Sequence, residues 1–225
     1  MKHFLSQIRQ EKSRSKNRKS IKLLEEVKED FTLHLRFLKI ACNGISMNLL
    51  TYRKPTHVYR GDACPFGLGG YSAKGRAWRW YIPKELRFRA TINMLEHLAA
   101  VIGPWVDMIE GNMPKLSCIL SLTDSTTTAG WLKKSNFQYS ENKSHEMTSA
   151  KLKISRGYAL RLLEHSCVDY SQWFPGDDND VADSLSRDCH LSDDILTSLF
   201  HSSLPDQTPP DFKISPLPQE IESFL

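Results

Sequence analysis

The 225-residue sequence lacks several features that would place it in common protein classes. No apolar run approaches the roughly 18 residues that a membrane helix needs, and the first 20 residues are polar and basic, without the apolar segment of a secretory signal. The five cysteines are widely spaced and form no CxxC pair, which argues against a disulfide scaffold and a cysteine-rich zinc module. We therefore expect a protein of the cytoplasm or nucleus that is not secreted and does not associate with a membrane.

Three common catalytic signatures are also missing. There is no GxSxG nucleophile elbow. The glycines of segment 67–70 precede a predicted strand rather than a helix, so they do not form a dinucleotide-binding fingerprint. His145 and Glu146 begin a zincin-like pattern, but Ser149 stands where the second histidine ligand is needed. These absences exclude the corresponding hydrolases, dehydrogenases and zinc proteases.

The net charge of +4 is unevenly distributed along the chain. Residues 1–40 carry a net charge of +6, residues 41–176 carry +7, and residues 177–225 carry −9. A basic body suits a polyanionic partner such as a nucleic acid, and a solvated basic surface is the alternative.

Composition predicts four segments. Residues 1–30 read as a basic flexible arm, 31–55 as a helical segment, 56–190 as the main domain, and 191–225 as an acidic tail. Five of the eleven prolines follow Leu204, so we expect this tail to be extended, with little core of its own. The helical segment carries an apolar repeat at helical spacing: Phe31, Leu35, Leu38 and Cys42.

The order of strands and helices predicted in the main domain indicates an α/β fold with a mixed central sheet flanked by helices. Strands are predicted at 56–63, at 71–82 after a glycine turn at 67–71, at 116–123 and at 167–174. Helices are predicted at 89–109, 125–134, 146–165 and from Asn179, as the capping residue, to 185. Pro104 is expected to kink or end the first of these helices.

Four acidic residues occupy positions that solubility alone does not require. Asp62 lies in the first strand, Glu96 in an amphipathic helix, Asp124 at the end of the most apolar strand, and Asp183 in the last helix. Taken singly, Asp124 could cap a helix, Asp183 could favour a helix N-terminus, and Glu96 could be a surface residue. Together they form an oxygen-only set that would suit Mg²⁺ or Mn²⁺, and two such ions can support phosphodiester hydrolysis.

Four motifs in order resemble the RNase H domains of retroelement reverse transcriptases. They are Gly61-Asp62-Ala63-Cys64 with Gly67-Leu68-Gly69-Gly70-Tyr71, then Asn93-Met94-Leu95-Glu96, then Leu122-Thr123-Asp124-Ser125, and finally Pro175-Gly176 with Asn179 and Ala182-Asp183-Ser184-Leu185-Ser186-Arg187. The resemblance covers residues 56–187, and its last motif is the most specific. The flanking segments are similar to the connection and spacer of DIRS-type retrotransposons.

The resemblance implies an RNase H-like fold that cleaves the RNA strand of an RNA–DNA hybrid. Asp62, Glu96, Asp124 and Asp183 would be the catalytic residues and would hold two Mg²⁺ or Mn²⁺ ions. The sequence departs from cellular RNases H in having no histidine in the loop 175–180. It also has no reverse-transcriptase polymerase motif, so the resemblance implies a fragment, a processed module or a stand-alone relic of a polyprotein. An associated reverse transcriptase polymerase domain is an expected partner.

Two other functions fit the same motifs. One is a catalytically inactive nucleic-acid-binding relic, against which the intact set of four carboxylates argues. The other is a different RNase H-fold nuclease, such as an integrase, although in those enzymes the glutamate usually comes last.

Basic residues beside aromatic ones are candidates for gripping a hybrid duplex, which proteins hold mainly through its phosphates and its shape. A solvated basic helix face is the alternative. The candidates are Lys133, Lys134, Lys151, Arg76 and Arg79.

Overall fold

The structure, a computed structural model, describes residues 8, 12, 20, 22–45, 51–85, 87, 90–134 and 145–224. At 26, 134, 145–151 and 223–224 only the backbone is described. The strands are β1 (His57–Cys64), β2 (Gly67–Ser72), β3 (Arg76–Tyr81), β4 (Cys118–Thr123), β5 (Val168–Trp173) and β6 (Lys213–Ile214). The helices are α1 (Glu25–Ala41), α2 (Ile92–Ile109), α3 (Thr126–Lys134), α4 (His145–Glu164), α5 (Asp180–Arg187), α6 (Asp193–Ser203) and α7 (Gln219–Phe224).

The six strands form one mixed sheet in the order β5-β4-β1-β2-β3-β6. Strands β1, β2 and β3 are joined by antiparallel pairing, whereas β1–β4, β4–β5 and β3–β6 are parallel pairs. The predicted α/β class with a mixed sheet flanked by helices is confirmed, and this architecture is compatible with an RNase H-like fold. Strand β1 lies inside the sheet between β2 and β4, which places its carboxylate deep in the molecule.

Each face of the sheet has its own apolar core. On one face Leu68 and Trp78 of the strands pack with Ile102 and Val106 of α2. Burial of this kind stabilises by about 25 cal/mol for each Å² of apolar surface removed from water. On the opposite face the strands pack against α5 and α6, in a cluster that includes Tyr71, Ala77, Val181, Leu185, Leu196, Phe200, Phe212 and Ile214.

The glycine-rich segment is a strand, so the turn predicted at 67–71 is wrong. The chain reverses at 65–66, and Gly67 and Gly69 lie inside β2. A Cβ atom at Gly67 would lie 2.2 Å from the carbonyl oxygen of Ser186, and one at Gly69 would lie 2.5 Å from Leu185 Cβ. These glycines therefore allow α5 to lie against the strand, and it is Gly75, with φ of +93°, that serves the turn between β2 and β3.

The acidic C-terminal segment is folded, so the expectation of an extended tail is wrong. It forms α6, the edge strand β6 and α7, and it contributes the buried Leu196, Phe200 and Ile221. Its prolines lie between these elements, where a fixed φ and a missing N–H cost little. Composition alone missed the segment because its apolar residues are spread over three short elements.

The helix predicted at 89–109 ends at Ile109 as expected, and Pro104 lies inside it without ending it, since burial on both sides of this turn offsets the hydrogen bond that proline cannot make. The prediction for the capping residue of α5 needs correction. Asn179 occupies the N-cap position of α5 without a capping hydrogen bond, and its Nδ2 instead donates to the Gly61 carbonyl at 3.4 Å.

The N-terminal helix begins at Glu25, earlier than the predicted boundary at 31, and most of the predicted basic arm lies outside the described residues. Its inner face buries Val27 and Phe37, whereas Phe31, Leu35 and Leu38 of the predicted apolar repeat are exposed. Within the described part of the chain, no helix is long and apolar enough to cross a membrane.

Candidate active site

Three of the four predicted carboxylates converge beside the carboxyl ends of two adjacent parallel strands. Asp62 lies in β1, two residues before its end, and Asp124 directly follows β4. Strands β1 and β4 pair in parallel, so their carboxyl ends meet at the same edge of the sheet. The sheet topology therefore accounts for the proximity of two residues that are 62 positions apart.

Helix α2 supplies the third carboxylate. A Cβ atom at Gly61 would lie 2.8 Å from the Ala99 carbonyl oxygen, so the helix backbone rests directly on β1 at this glycine. Glu96 lies one turn before Ala99 on the same face of the helix, which directs it towards Asp62. The close contact at Gly61 thus sets the distance between two of the acidic residues.

The three side chains form a compact oxygen cluster. One carboxylate oxygen each from Asp62, Glu96 and Asp124 lie within 4.8 Å of one another. Asp62 is 3% exposed, and the other two are half-buried. Ionised carboxylates this close repel each other, and burial adds a further penalty to their charges.

The pKa values follow this crowding. Burial first, and then the charges of Asp62 and Asp124, raise the pKa of Glu96 to about 8. Burial also raises the pKa of Asp62 to about 6, against the opposing effect of the Ser186 hydroxyl, which donates to Asp62 Oδ2 at 2.6 Å. Glu96 Oε2 is buried and has no hydrogen-bond partner among the described residues. The charge of Arg187 offsets part of this crowding, and Glu96 Oε2 remains an acceptor that no described residue satisfies.

Asp183 lies beside this cluster and outside its compact part. Its Oδ1 forms an ion pair of 2.7 Å with Arg187 Nη2, one turn later on α5. The negative charge of Asp183 still contributes to the raised pKa of Asp62, and burial raises the pKa of Asp183 itself. The structure thus brings Asp62, Glu96 and Asp124 into direct proximity, with Asp183 as a neighbour.

The final motif contributes two site residues that sequence reasoning did not single out. Ser186 hydrogen-bonds Asp62, and the positive charge of Arg187 lowers the pKa of both Asp62 and Glu96. Ser186 follows Asp183 by three positions and Arg187 follows it by four, so both lie on the same side of α5 as Asp183. Their spacing from Asp183 in the sequence could have identified them as residues near the site.

The loop before α5 closes one side of the site. A Cβ atom at Gly176 would lie 3.1 Å from Asp124 Oδ2, so the loop passes directly over this carboxylate. Arg60 holds the loop, because its Nη1 donates to the Asp178 carbonyl at 2.8 Å and its guanidinium lies 5.2 Å from the Phe174 ring centroid. Half-exposed Trp173 forms the adjacent rim and donates from Nε1 to the Asp124 carbonyl at 2.8 Å.

The predicted nucleic-acid-binding residues fall into two groups. Arg76 forms an ion pair with Glu110, and Arg79 Nη2 lies 2.7 Å from Asp193 Oδ1, so both cations already have partners within the fold. Lys133 is exposed on α3, the helix that follows Asp124. The side chains of Lys134 and Lys151 lie outside the described part of the structure, although their backbones belong to α3 and α4.

No protein-family model matches this sequence, and no curated protein matches it. The function of this chain is therefore inferred from the geometry of the carboxylates and from the chemistry that they can perform.

Proposed function

We propose that this chain is an RNase H-type endonuclease that cleaves the RNA strand of RNA–DNA hybrids by metal-dependent phosphodiester hydrolysis. The observation that carries the proposal is the cluster of Asp62, Glu96 and Asp124, whose oxygens lie within 4.8 Å of one another. The motif resemblance supplies the substrate class, and the mixed α/β sheet is compatible with it.

The donor set fits a hard divalent cation. Every candidate ligand atom in the cluster is a carboxylate oxygen, which Mg²⁺ and Mn²⁺ prefer and which zinc sites seldom use alone. The buried, unpartnered Oε2 of Glu96 is an acceptor that a cation would satisfy. Asp62, Glu96 and Asp124 would hold the metal, with Asp183 as the neighbouring fourth carboxylate. Two bound ions would supply an activated water and would stabilise the oxygen that leaves phosphorus.

The residues around the carboxylates would prepare the site for this chemistry. Ser186 fixes the orientation of Asp62 through its hydrogen bond, and Arg187 holds Asp183 in position through its ion pair. The Arg60 contact keeps the loop at Gly176 against Asp124, which limits the approach of solvent from that side. These contacts support a site whose geometry exists before the substrate binds.

Substrate contact is proposed along α3, where Lys133 is exposed for a phosphate. Arg76 and Arg79 are weaker candidates, since binding phosphate would require breaking their ion pairs with Glu110 and Asp193. We also propose that an associated polymerase domain is a partner of this chain and that the protein is intracellular. The free thiols of all five cysteines support a reducing compartment.

The direct test is cleavage of a hybrid labelled on its RNA strand, in Mg²⁺ and in Mn²⁺, with the wild type beside Asp124→Asn. Asp180→Asn is the matched control, because this exposed acid lies on α5 one turn before Asp183. We expect the wild type and the control to cut RNA, and we expect Asp124→Asn to lose at least 100-fold in rate, on the order of an essential catalytic group.

Metal binding can be measured separately by thermal unfolding. A ligand that binds only the folded state raises the midpoint temperature as its concentration rises. Mn²⁺ should stabilise the wild type and Asp180→Asn, and it should have a much smaller effect on Asp124→Asn. Folded wild type that neither cleaves the hybrid nor responds to either metal would refute the proposal. A response to metal without cleavage would favour the inactive relic.

A further inference from the structure

Helix α1 has two apolar faces, and the domain covers one of them. The covered face packs on α4, where Val27 and Phe37 are buried and Arg156 forms ion pairs with Glu29 and Asp30. The other face leaves large side chains exposed to 43–59%: Leu24, Phe31, Leu35 and Leu38. The outward face of a helix on a soluble domain is usually polar, so this second face is unusual.

The exposed residues follow a heptad pattern. Leu24, Phe31 and Leu38 are seven residues apart, and Leu35 and the exposed Cys42 fall four residues after Phe31 and Leu38. This alternation of four and three residues matches the a/d spacing of a coiled coil, in which a second helix fits its side chains between those of the first. We refer to these positions as the seam. Lys28 is the one polar residue on the seam between Leu24 and Cys42.

We propose that two copies of this chain associate through α1, with their seams paired in antiparallel orientation. Phe31 of each copy would pack against Leu35 of the other, Lys28 against Leu38, and Leu24 against Cys42. The arrangement has twofold symmetry, so every contact is made twice by the same surface. This inference goes beyond the proposed nuclease activity and does not depend on it.

The charges along the helix favour this partner and this orientation. Glu25 lies at the acidic start of α1, and Lys39 at its basic end, on the same edge of the seam. Within one copy Glu25 forms an exposed ion pair of 2.8 Å with Lys28. Antiparallel pairing would place Lys39 of the other copy beside the same carboxylate. Parallel pairing would instead place Lys28 opposite Lys28 in the seam, which is unfavourable. The helix is therefore complementary to a reversed copy of itself.

The expected association is weak. Leu24 to Cys42 spans about 27 Å of helix, at 1.5 Å per residue. An interface of this length falls at or below the usual size of a stable complex. We expect a dissociation constant on the order of 10–100 µM. Lys28 weakens the pair as well, although its aliphatic stem can pack while its ammonium group stays in water.

The first test is sedimentation of the full-length chain from about 2 to 200 µM. Leu35→Glu would place a charge in both central layers, and we expect it to weaken association at least tenfold. Leu199→Glu is the matched control, since this leucine is 45% exposed on α6, outside the seam. Wild type that stays monomeric throughout, or a Leu35→Glu variant that associates as the wild type does, would overturn the proposal.

The second test maps orientation by disulfide formation in a Cys189→Ser background, where Cys42 is the one exposed cysteine left. Antiparallel pairing predicts a covalent dimer on oxidation only after Leu24→Cys is introduced. The two positions lie about 27 Å apart on one helix, so the bond must join two copies. Efficient cross-linking through Cys42 without Leu24→Cys would show parallel pairing and refute the antiparallel arrangement.

Discussion

Replacing Glu96 with glutamine should stabilise the metal-free protein at neutral and alkaline pH, while removing its response to metal. Glu96 lies in a cluster of three carboxylates, and burial with the charges of Asp62 and Asp124 raises its pKa to about 8. In the unfolded chain the same group titrates near its ordinary value of 4.5. Ionised Glu96 therefore opposes folding, and an uncharged amide of nearly equal size removes that opposition.

The sign and size follow from proton linkage. Between pH 4.5 and about 8 the folded state binds more protons at Glu96 than the unfolded state does, so stability falls as pH rises through this range. The free-energy penalty that Glu96 imposes on folding is absent below pH 4.5 and constant above about pH 8. At about 1.4 kcal/mol for each tenfold change in proton affinity, it reaches roughly 3 kcal/mol at pH 7. Because the buried amide has a desolvation cost of its own, we expect Glu96→Gln to recover about 2 kcal/mol.

Urea unfolding in EDTA at pH 5, 7 and 9 measures this effect. The wild type should lose stability from pH 5 to pH 9 more steeply than Glu96→Gln, and the two should nearly coincide at pH 5. Glu164→Gln is the control, because Glu164 is exposed and its ion pair among the described residues, with Arg161 at 3.4 Å, is a surface contact worth less than about 1 kcal/mol. Equal stability of the wild type and Glu96→Gln at pH 9 would show that ionised Glu96 does not destabilise the folded protein and would contradict the prediction.

Three further predictions concern single substitutions in and around the site. Ser186→Ala removes the hydroxyl that lowers the pKa of Asp62, so the acidic limb of the pH–rate profile for hybrid cleavage should move to higher pH; an unmoved limb would mean that Asp62 does not control it. Gly69→Ala should destabilise by at least about 2 kcal/mol, since the new Cβ would lie 2.5 Å from a side chain of α5. Gly130→Ala, where nothing lies within 4 Å, should instead stabilise α3 by up to about 1 kcal/mol in the same urea measurement.

The strand ends and the amphipathic helix were predictable because their patterns are local. Asp124 follows a near-continuous apolar run that is typical of a buried strand, and Asp62 precedes a glycine-rich segment. Neither pattern specifies the distance between the two carboxylates in the folded protein. The convergence of these residues depends on the parallel pairing of β1 with β4 and on the contact of α2 with Gly61, which are long-range properties of the fold.

Other predictions were wrong or incomplete, because the pattern of a single sequence does not show which elements will pack against a given residue. The glycines at 67 and 69 resemble a turn, yet they are needed because α5 approaches the strand. Helical spacing correctly placed Phe31 and Leu35 on one side of a helix. It could not reveal that this side would face outward, since the inner side of α1 is fixed by the ion pairs with Arg156 on α4.

The last motif is the most specific because nearly every position in it has a separate physical task. Gly176 has no side chain, which allows the loop to pass close to Asp124. Asn179 hydrogen-bonds the Gly61 carbonyl and so connects the start of α5 to β1. Ser186 then hydrogen-bonds Asp62, while Arg187 pairs with Asp183 and offsets the negative charge of the cluster. A helix of eight residues meets these constraints only if each residue stands at its own position. The spacing is thus a geometric consequence of packing one short helix against a strand that carries a buried carboxylate.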